Sequence, residues 1–375
     1  MPSRRRPLTM QNMHNRTRPV VRHYIALEDE IFRQMAMTFR YGKDVSNPNM
    51  LEYQLQRMND LHRIESATIK KLSEASGRAE KDIIAAMVAN GGDVIHDTDY
   101  FIKQAGLRVG PVADIRRLVD SYIRQAFLEV NNYVNETLIS STFGKGSLAV
   151  MYRDILSDIT LNFSAGHLTL DQAIEQVIFR WIDKGVPSSF IDRGGHRWSM
   201  RNYVETVMRS TNARIYNDLR TSRMAENGLY LVLMSSKLSA RDACAPIQGK
   251  VLDISPDRKK PRYPNVYDYG YGTPAGTRGI NCGHMWYPFR EGVSENNQVQ
   301  YDADEAMEME KLNQHRNRLI REKDKLQQKV DAARILDSEK LPQMRQQLKA
   351  KRSQLKTFEE RWKDVRQDFY SRSTS

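Results

Sequence analysis

Two short segments near the three-quarter point of the chain limit what it can fold into more than any other part of the sequence. SARDACAPIQGK at residues 239–250 and YDYGYGTPAGTRGINCGHMWYPF at 267–289 hold both cysteines, and the second is crowded with glycine, proline and aromatic residues. Glycine and proline at this density set turns and stop helices. An otherwise helical protein must therefore be interrupted here by a compact, loop-rich unit.

Residues 24–227 read as a helical domain, a bundle of successive helices with short breaks. Over 111–139, Val112, Ile115, Leu118, Val119, Tyr122, Ile123, Phe127, Val130, Val134 and Leu138 recur at three- and four-residue spacing, and Pro111 suits a first turn. A second helix is predicted from Thr169, whose hydroxyl can cap the amide of Gln172 while Gln172 reaches back, and it should stop near Gly185 and Pro187. A third runs from Ser199 through Met200, Tyr203, Val204, Val207, Met208, Thr211 and Ile215. Its other face carries Arg201, Arg209, Arg214 and Arg220, which reads as a water-facing or phosphate-facing surface.

At Gly228 the pattern changes. Leu229–Met234 is too short for a helix and apolar enough for a buried strand, so residues 228–292 are expected to form a small mixed α+β domain. Tyr263, Tyr267, Tyr269, Tyr271, Trp286, Tyr287 and Phe289 supply its apolar bulk. Residues 293–375 are highly charged and rich in helix formers. There Leu341, Met344, Leu348, Leu355, Phe358, Trp362, Val365 and Phe369 follow a heptad seam broken only by Lys351, while Leu312, Leu319, Leu326 and Ala333 repeat every seven residues upstream. With Asp337–Pro342 as a break, this predicts a helical hairpin or coiled coil. The fold class is thus mainly α with a small α+β loop-rich part.

The 375 residues carry a formal net charge of +12 and 40% hydrophobic residues, enough for real cores and suited to an anionic partner. Arg4, Arg5, Arg6, Arg16, Arg18 and Arg22 precede the first acidic residue, Glu28, so residues 1–23 are expected to be a basic flexible arm. Arg4, Arg5 and Arg6, with Arg258, Lys259, Lys260 and Arg262, are the candidate phosphate contacts. The amino terminus is too polar for a signal peptide, and no apolar run approaches the ~20 residues that span a bilayer. Two cysteines do not make a disulfide scaffold, which favours a reducing compartment.

Cys244, Cys282 and His284 are residue types that zinc prefers, with Asp242 or His196 as a possible fourth ligand. One tight pair plus a lone cysteine, however, is not the two-pair spacing of structural zinc sites. Buried cysteines beside a hydrogen-bonded histidine explain the residues more simply, and no resident cofactor is assigned. Gly270, Gly272, Gly276 and Gly279 fit neither a dinucleotide fingerprint nor a P-loop and read as turn formers. An enzyme site built on Asp242, Cys244, Asn281 and His284 is the competing reading. It requires an open pocket with an accessible histidine, whereas a structural cluster requires Cys244, Cys282 and His284 to be buried and bonded.

Three blocks, DRGGHRWSMRNYVETVMRST at 192–211, ACAPIQGKVLDIS at 243–255 and GYGTPAGTRGINCGHMWYPF at 270–289, resemble the type 2 minor capsid proteins of tailed bacteriophages of Gram-positive bacteria. More remotely they are similar to the head morphogenesis proteins of Mu-type phages. The family's usual Asn-Cys-Arg-His stands here as Asn281-Cys282-Gly283-His284. The resemblance implies a virion component of the head interior or portal vertex, assembled in the host cytoplasm. It implies a role in capsid assembly and DNA packaging or delivery, with portal and other capsid proteins and non-specifically bound phage DNA as partners. Weighed against the enzyme reading of the cluster, no enzymatic activity is expected. Asp242, Cys244, Gln248, Gly249, Asn281, Cys282 and His284 would then form a structural cluster tying two distant loops together.

Overall fold

The computed structural model describes residues 8–40, 50–112, 114–130, 148–165, 168–191, 197–279 and 282–374. Its helices are α1 (Met10–Arg40), α2 (Met50–Gln104), α3 (Ile115–Val130), α4 (Leu148–Ser164), α5 (Leu170–Lys184), α6 (Met200–Ala225), α7 (Ala303–Ile335) and α8 (Leu341–Thr374). The strands are β1 (Pro187–Ile191), β2 (Arg197–Ser199), β3 (Leu231–Met234), β4 (Val251–Asp253) and β5 (Trp286–Phe289).

The centre of the molecule is a three-helix layer of α1, α2 and α6. At 55 residues, α2 is about 80 Å long at 1.5 Å per residue, and it supports α3 on one side and α4 on another. Its interior positions Ile83, Met87, Val94 and Ile102 are fully buried at helical spacing. Local chemistry sets the ends of α5 as the sequence predicts. Thr169 and Gln172 form a reciprocal capping box, and Gly185 closes the helix with its N–H on the carbonyls of Trp181 and Ile182. Ser199 likewise caps α6 by accepting from the Asn202 N–H.

Three expectations change on contact with tertiary structure. Residues 10–23, assigned to a basic arm, are the first half of α1, which runs through Pro19; residues 1–7, including Arg4, Arg5 and Arg6, lie outside the described residues. Met13, Val20 and Tyr24 are fully buried, and Arg16 bonds to Asn90 and pairs with Asp93 on α2. Packing of that face outweighs the hydrogen bond lost at a proline. Pro111 precedes the helix predicted over 111–139 instead of opening it: α3 starts at Ile115 behind Asp114, whose carboxylate accepts from the Arg116 N–H, and Val134 and Leu138 lie outside the described residues. Arg220, expected on an open face of α6, is 1% exposed.

The mixed segment is built on a three-stranded antiparallel sheet in the order β4-β3-β5, with Val232 opposite Leu252 and Pro288. All of β3 is buried, as a brief apolar run bounded by turns should be. Trp286, Cys244, Ile247 and Met285 belong to the same continuous core as the helices, so this segment shares the bundle's core.

The carboxyl-terminal hairpin is antiparallel, as the pairs Arg316–Glu359, Lys351–Glu322 and Arg352–Gln327 require. Its α7 arm lies on α1 and α5, held by Lys329–Asp183 at 2.7 Å and Arg201–Asp324 at 2.8 Å. On α8 the heptad seam is legible residue by residue. Leu348 is buried, while Leu341, Met344, Lys351, Leu355, Phe358, Trp362 and Val365 are half-buried against largely exposed neighbours; the Phe369 side chain is outside the described residues. No helix among the described residues is long and apolar enough to cross a membrane.

Candidate functional site

The turn after β3 and the two loops singled out by the sequence converge on one buried cluster. Cys244 sits in a run of turns whose backbone closes on itself, with the Gln248 N–H donating to the Cys244 carbonyl at 2.9 Å. Cys282 and His284 lie just before β5, where the Met285 N–H donates to Ser235 Oγ and fixes the approach to the strand. The glycine-rich loop brings them there. A Cβ at Gly276 would overlap the Gly270 carbonyl, so the loop folds back on itself only with glycine at that position.

Cys244, Cys282 and His284 are 0%, 6% and 3% exposed. Their sulfur and nitrogen atoms all lie within 4.8 Å of one another, with Sγ to Sγ at 3.7 Å and Cys282 Sγ to His284 Nδ1 at 3.5 Å. Gln248, 2% exposed, sets the histidine tautomer. Its Oε1 accepts from the Lys237 backbone N–H at 2.9 Å, which identifies that atom as the oxygen, and it lies 3.0 Å from His284 Nε2. Nε2 must therefore carry the proton, and the lone pair of Nδ1 faces the two sulfurs.

Electrostatics separates the two thiols. The hydrogen bond between them, followed by burial, raises Cys244, while the same bond, with further help from His284 and the charge of Arg278, lowers Cys282 well below an ordinary thiol. Burial lowers His284, so the imidazole is neutral, and burial also lowers Lys237. The Lys237 amine occupies the place a Cβ at Gly283 would take, which puts a basic group beside the thiols.

Of the other predicted motif residues, Gly249 adopts φ 73° and its carbonyl accepts from Asn296 at 2.8 Å and Gln300 at 2.7 Å. Asp242 is exposed and does not join the sulfur–imidazole group. Asn281 and His196 lie outside the described residues. The open pocket and accessible histidine that the enzyme reading requires are not the surroundings of His284.

The basic cluster at 258–262 is largely engaged within the chain. Arg258 chelates Asp268 at 3.0 and 2.5 Å, Lys259 lies 4.1 Å over the Tyr230 ring and bonds its hydroxyl, and Lys260 pairs with Glu291 at 3.2 Å, while Arg262 is exposed. A stronger concentration of positive charge lies where sequence reasoning named no candidate. Arg334 on α7 and Arg345, Lys349 and Arg352 on α8 line a groove of about 350 Å³, with Val330 and Leu348 at its floor. The run RQQLKAKR at 345–352 places three of its four cations at positions 345, 349 and 352, one helix face, while Lys351 pairs with Glu322, and that spacing was the available signal. Among the described residues, neither Arg345 nor Lys349 has an ion-pair partner.

A sequence model described as phage minor capsid protein 2 matches residues 8–359. The chain is similar to a structural protein of Lactococcus phage LL-H, 36% identical over 321 residues, which cover 83% of this chain and 86% of that relative. It is also similar to a structural protein of Lactococcus phage mv4, 48% identical over 81 residues, 21% of this chain and 64% of that relative. No solved structure matches the chain.

Proposed function

The chain belongs to the phage minor capsid protein 2 family, and on that premise we propose that it is a minor structural protein of the phage head, near the portal, that acts in head assembly and in DNA packaging or delivery by holding DNA without reading its sequence. The groove of Arg334, Arg345, Lys349 and Arg352 carries the DNA part of this reading. Four cations drawn from two helices face one concavity, and at least two of them are free of in-chain carboxylates among the described residues. Cations in that arrangement exchange condensed counterions for phosphate, which gives affinity but no sequence preference.

The same hairpin supports contact with neighbouring capsid proteins. Among the described residues the α8 seam buries only Leu348 fully, and Phe358 and Trp362 remain half-buried. Aromatic side chains on an elongated, charged hairpin are suited to a second surface, because burial of the remaining ring area is favourable.

The test is the salt dependence of binding to duplexes of unrelated sequence. The reading expects equal affinities across sequences and a log–log slope against salt that falls by roughly 2–3 when Arg345, Lys349 and Arg352 are replaced together by alanine. An unchanged slope, or a strong preference for one sequence, contradicts it.

A further inference from the structure

We propose that Cys244, Cys282 and His284 form a zinc-binding site, with Gln248 as the outer hydrogen-bond partner that orients the histidine. Distances carry the proposal. A tetrahedral zinc with Zn–S of about 2.3 Å and Zn–N of about 2.05 Å requires its ligands to stand about 3.8 Å apart for sulfur–sulfur and about 3.5 Å apart for sulfur–nitrogen. The corresponding separations are 3.7 Å for Cys244 Sγ–Cys282 Sγ and 3.5 Å for Cys282 Sγ–His284 Nδ1. Two edges of a zinc tetrahedron are thus already set, between loops 38 residues apart in sequence.

The histidine is prepared in the way a metal ligand needs. Its Nε2–H is committed to Gln248 Oε1, and that oxygen is itself pinned by the Lys237 N–H, so the unprotonated Nδ1 is held toward the sulfurs. An outer acceptor on the far ring nitrogen is the usual device for fixing the tautomer and orientation of a zinc-bound imidazole. Thiolate and imidazole donors suit zinc over the hard, oxygen-preferring cations. Among the described residues no further Cys, His, Asp or Glu belongs to the group, so these three side chains supply the protein donors found there.

Binding replaces the Cys244–Cys282 contact with two zinc–thiolate bonds and releases to solvent any proton the two sulfurs still hold. The two thiolates neutralise the dication and no electron is transferred. Affinity therefore falls as pH falls. The expected consequence for the fold is a clamp between the 244 turn and the β5 approach, and it holds wherever the protein sits in the particle.

The experiment uses the full chain, purified under reducing conditions and titrated with Co²⁺ and then Zn²⁺. The proposal expects one equivalent of Co²⁺ with intense tetrahedral d–d bands and near-ultraviolet thiolate charge-transfer bands, all abolished by one equivalent of Zn²⁺. Gln248→Ala keeps all three ligands and should weaken zinc binding about 10-fold or more. Cys282→Ser should remove the charge-transfer bands, and because wild-type uptake is read independently, a variant that fails to fold does not decide the matter. Three results would overturn the proposal: no uptake of either metal by the reduced wild-type chain, Co²⁺ spectra without thiolate bands, or Gln248→Ala binding zinc as tightly as wild type.

Discussion

Arg220 Nη1 donates to the main-chain carbonyl of Trp286 at 2.8 Å, and through this bond α6 holds the first residue of β5. The same carbonyl accepts from the Tyr216 hydroxyl at 2.7 Å, the Arg220 guanidinium lies 4.5 Å over the Tyr216 ring, and its other arm pairs with Asp97 on α2. One buried cation thereby joins two helices to the strand that follows the Cys282–His284 segment. Arg220→Met keeps much of the volume but leaves Asp97 unpaired, and should cost about 2–3 kcal/mol in urea unfolding. Tyr216→Phe removes one of two donors and should cost about 1 kcal/mol. Equal stability of Arg220→Met and wild type would show that the link is not energetically significant.

Glu28 on α1 makes stability depend on pH. It is 4% exposed, accepts from the Val186 N–H at 3.0 Å, and burial raises its pKa from 4.5 to about 7. A carboxyl raised in this way binds its proton more tightly in the folded state, so its ionisation subtracts stability as pH rises from 4.5 to about 7 and by a constant amount above. Glu28→Gln keeps an acceptor and cannot ionise. It should be more stable than wild type at pH 8, by at most about 3 kcal/mol, with the difference shrinking toward zero near pH 4.5. His14, lowered to about 4 by burial, loses stability as pH falls from 6.5, the opposite direction, but it is common to both proteins and cancels in the difference. A difference independent of pH would rule out Glu28 as the source.

Gly283 and Lys237 should behave as a coupled pair. Arginine at position 283 places its Cβ where the Lys237 amine lies, and because that amine is the far end of a flexible side chain, Gly283→Arg alone should destabilise by about 1 kcal/mol, the low end of the range for overpacking. Adding Lys237→Ser removes the clash and leaves one cation near the thiols, so the double variant should be more stable than Gly283→Arg alone. A double-mutant cycle by thermal unfolding measures this, and strict additivity of the two effects would contradict it.

Local rules were enough wherever neighbouring residues decide the structure. Thr169 and Gln172 announce the start of α5, Ser199 announces α6, Leu231–Met234 announces a buried strand, and the α8 seam can be read from spacing alone. The misses occur where a distant partner decides. Pro19 and an arginine-rich start look like an arm until α2 and α6 supply a surface for Met13, Val20 and Tyr24. Arg220 has the spacing of a surface residue, and only the Trp286 carbonyl and Asp97 explain its burial. The candidate site was legible by composition and illegible by spacing. Cys244 stands alone in sequence, and its proximity to Cys282 and His284 depends on a glycine-rich loop that doubles back.

Ultraviolet cross-linking of DNA to protein in gradient-purified, DNA-filled heads, followed by mass spectrometry of the adducts and quantification of each virion protein, shows whether this chain holds DNA in the head. This chain should be present in the heads at low copy number, with DNA adducts on peptides around Arg334, Arg345, Lys349 and Arg352. Absence of the chain from filled heads, or its presence there with adducts only on other proteins, would contradict it.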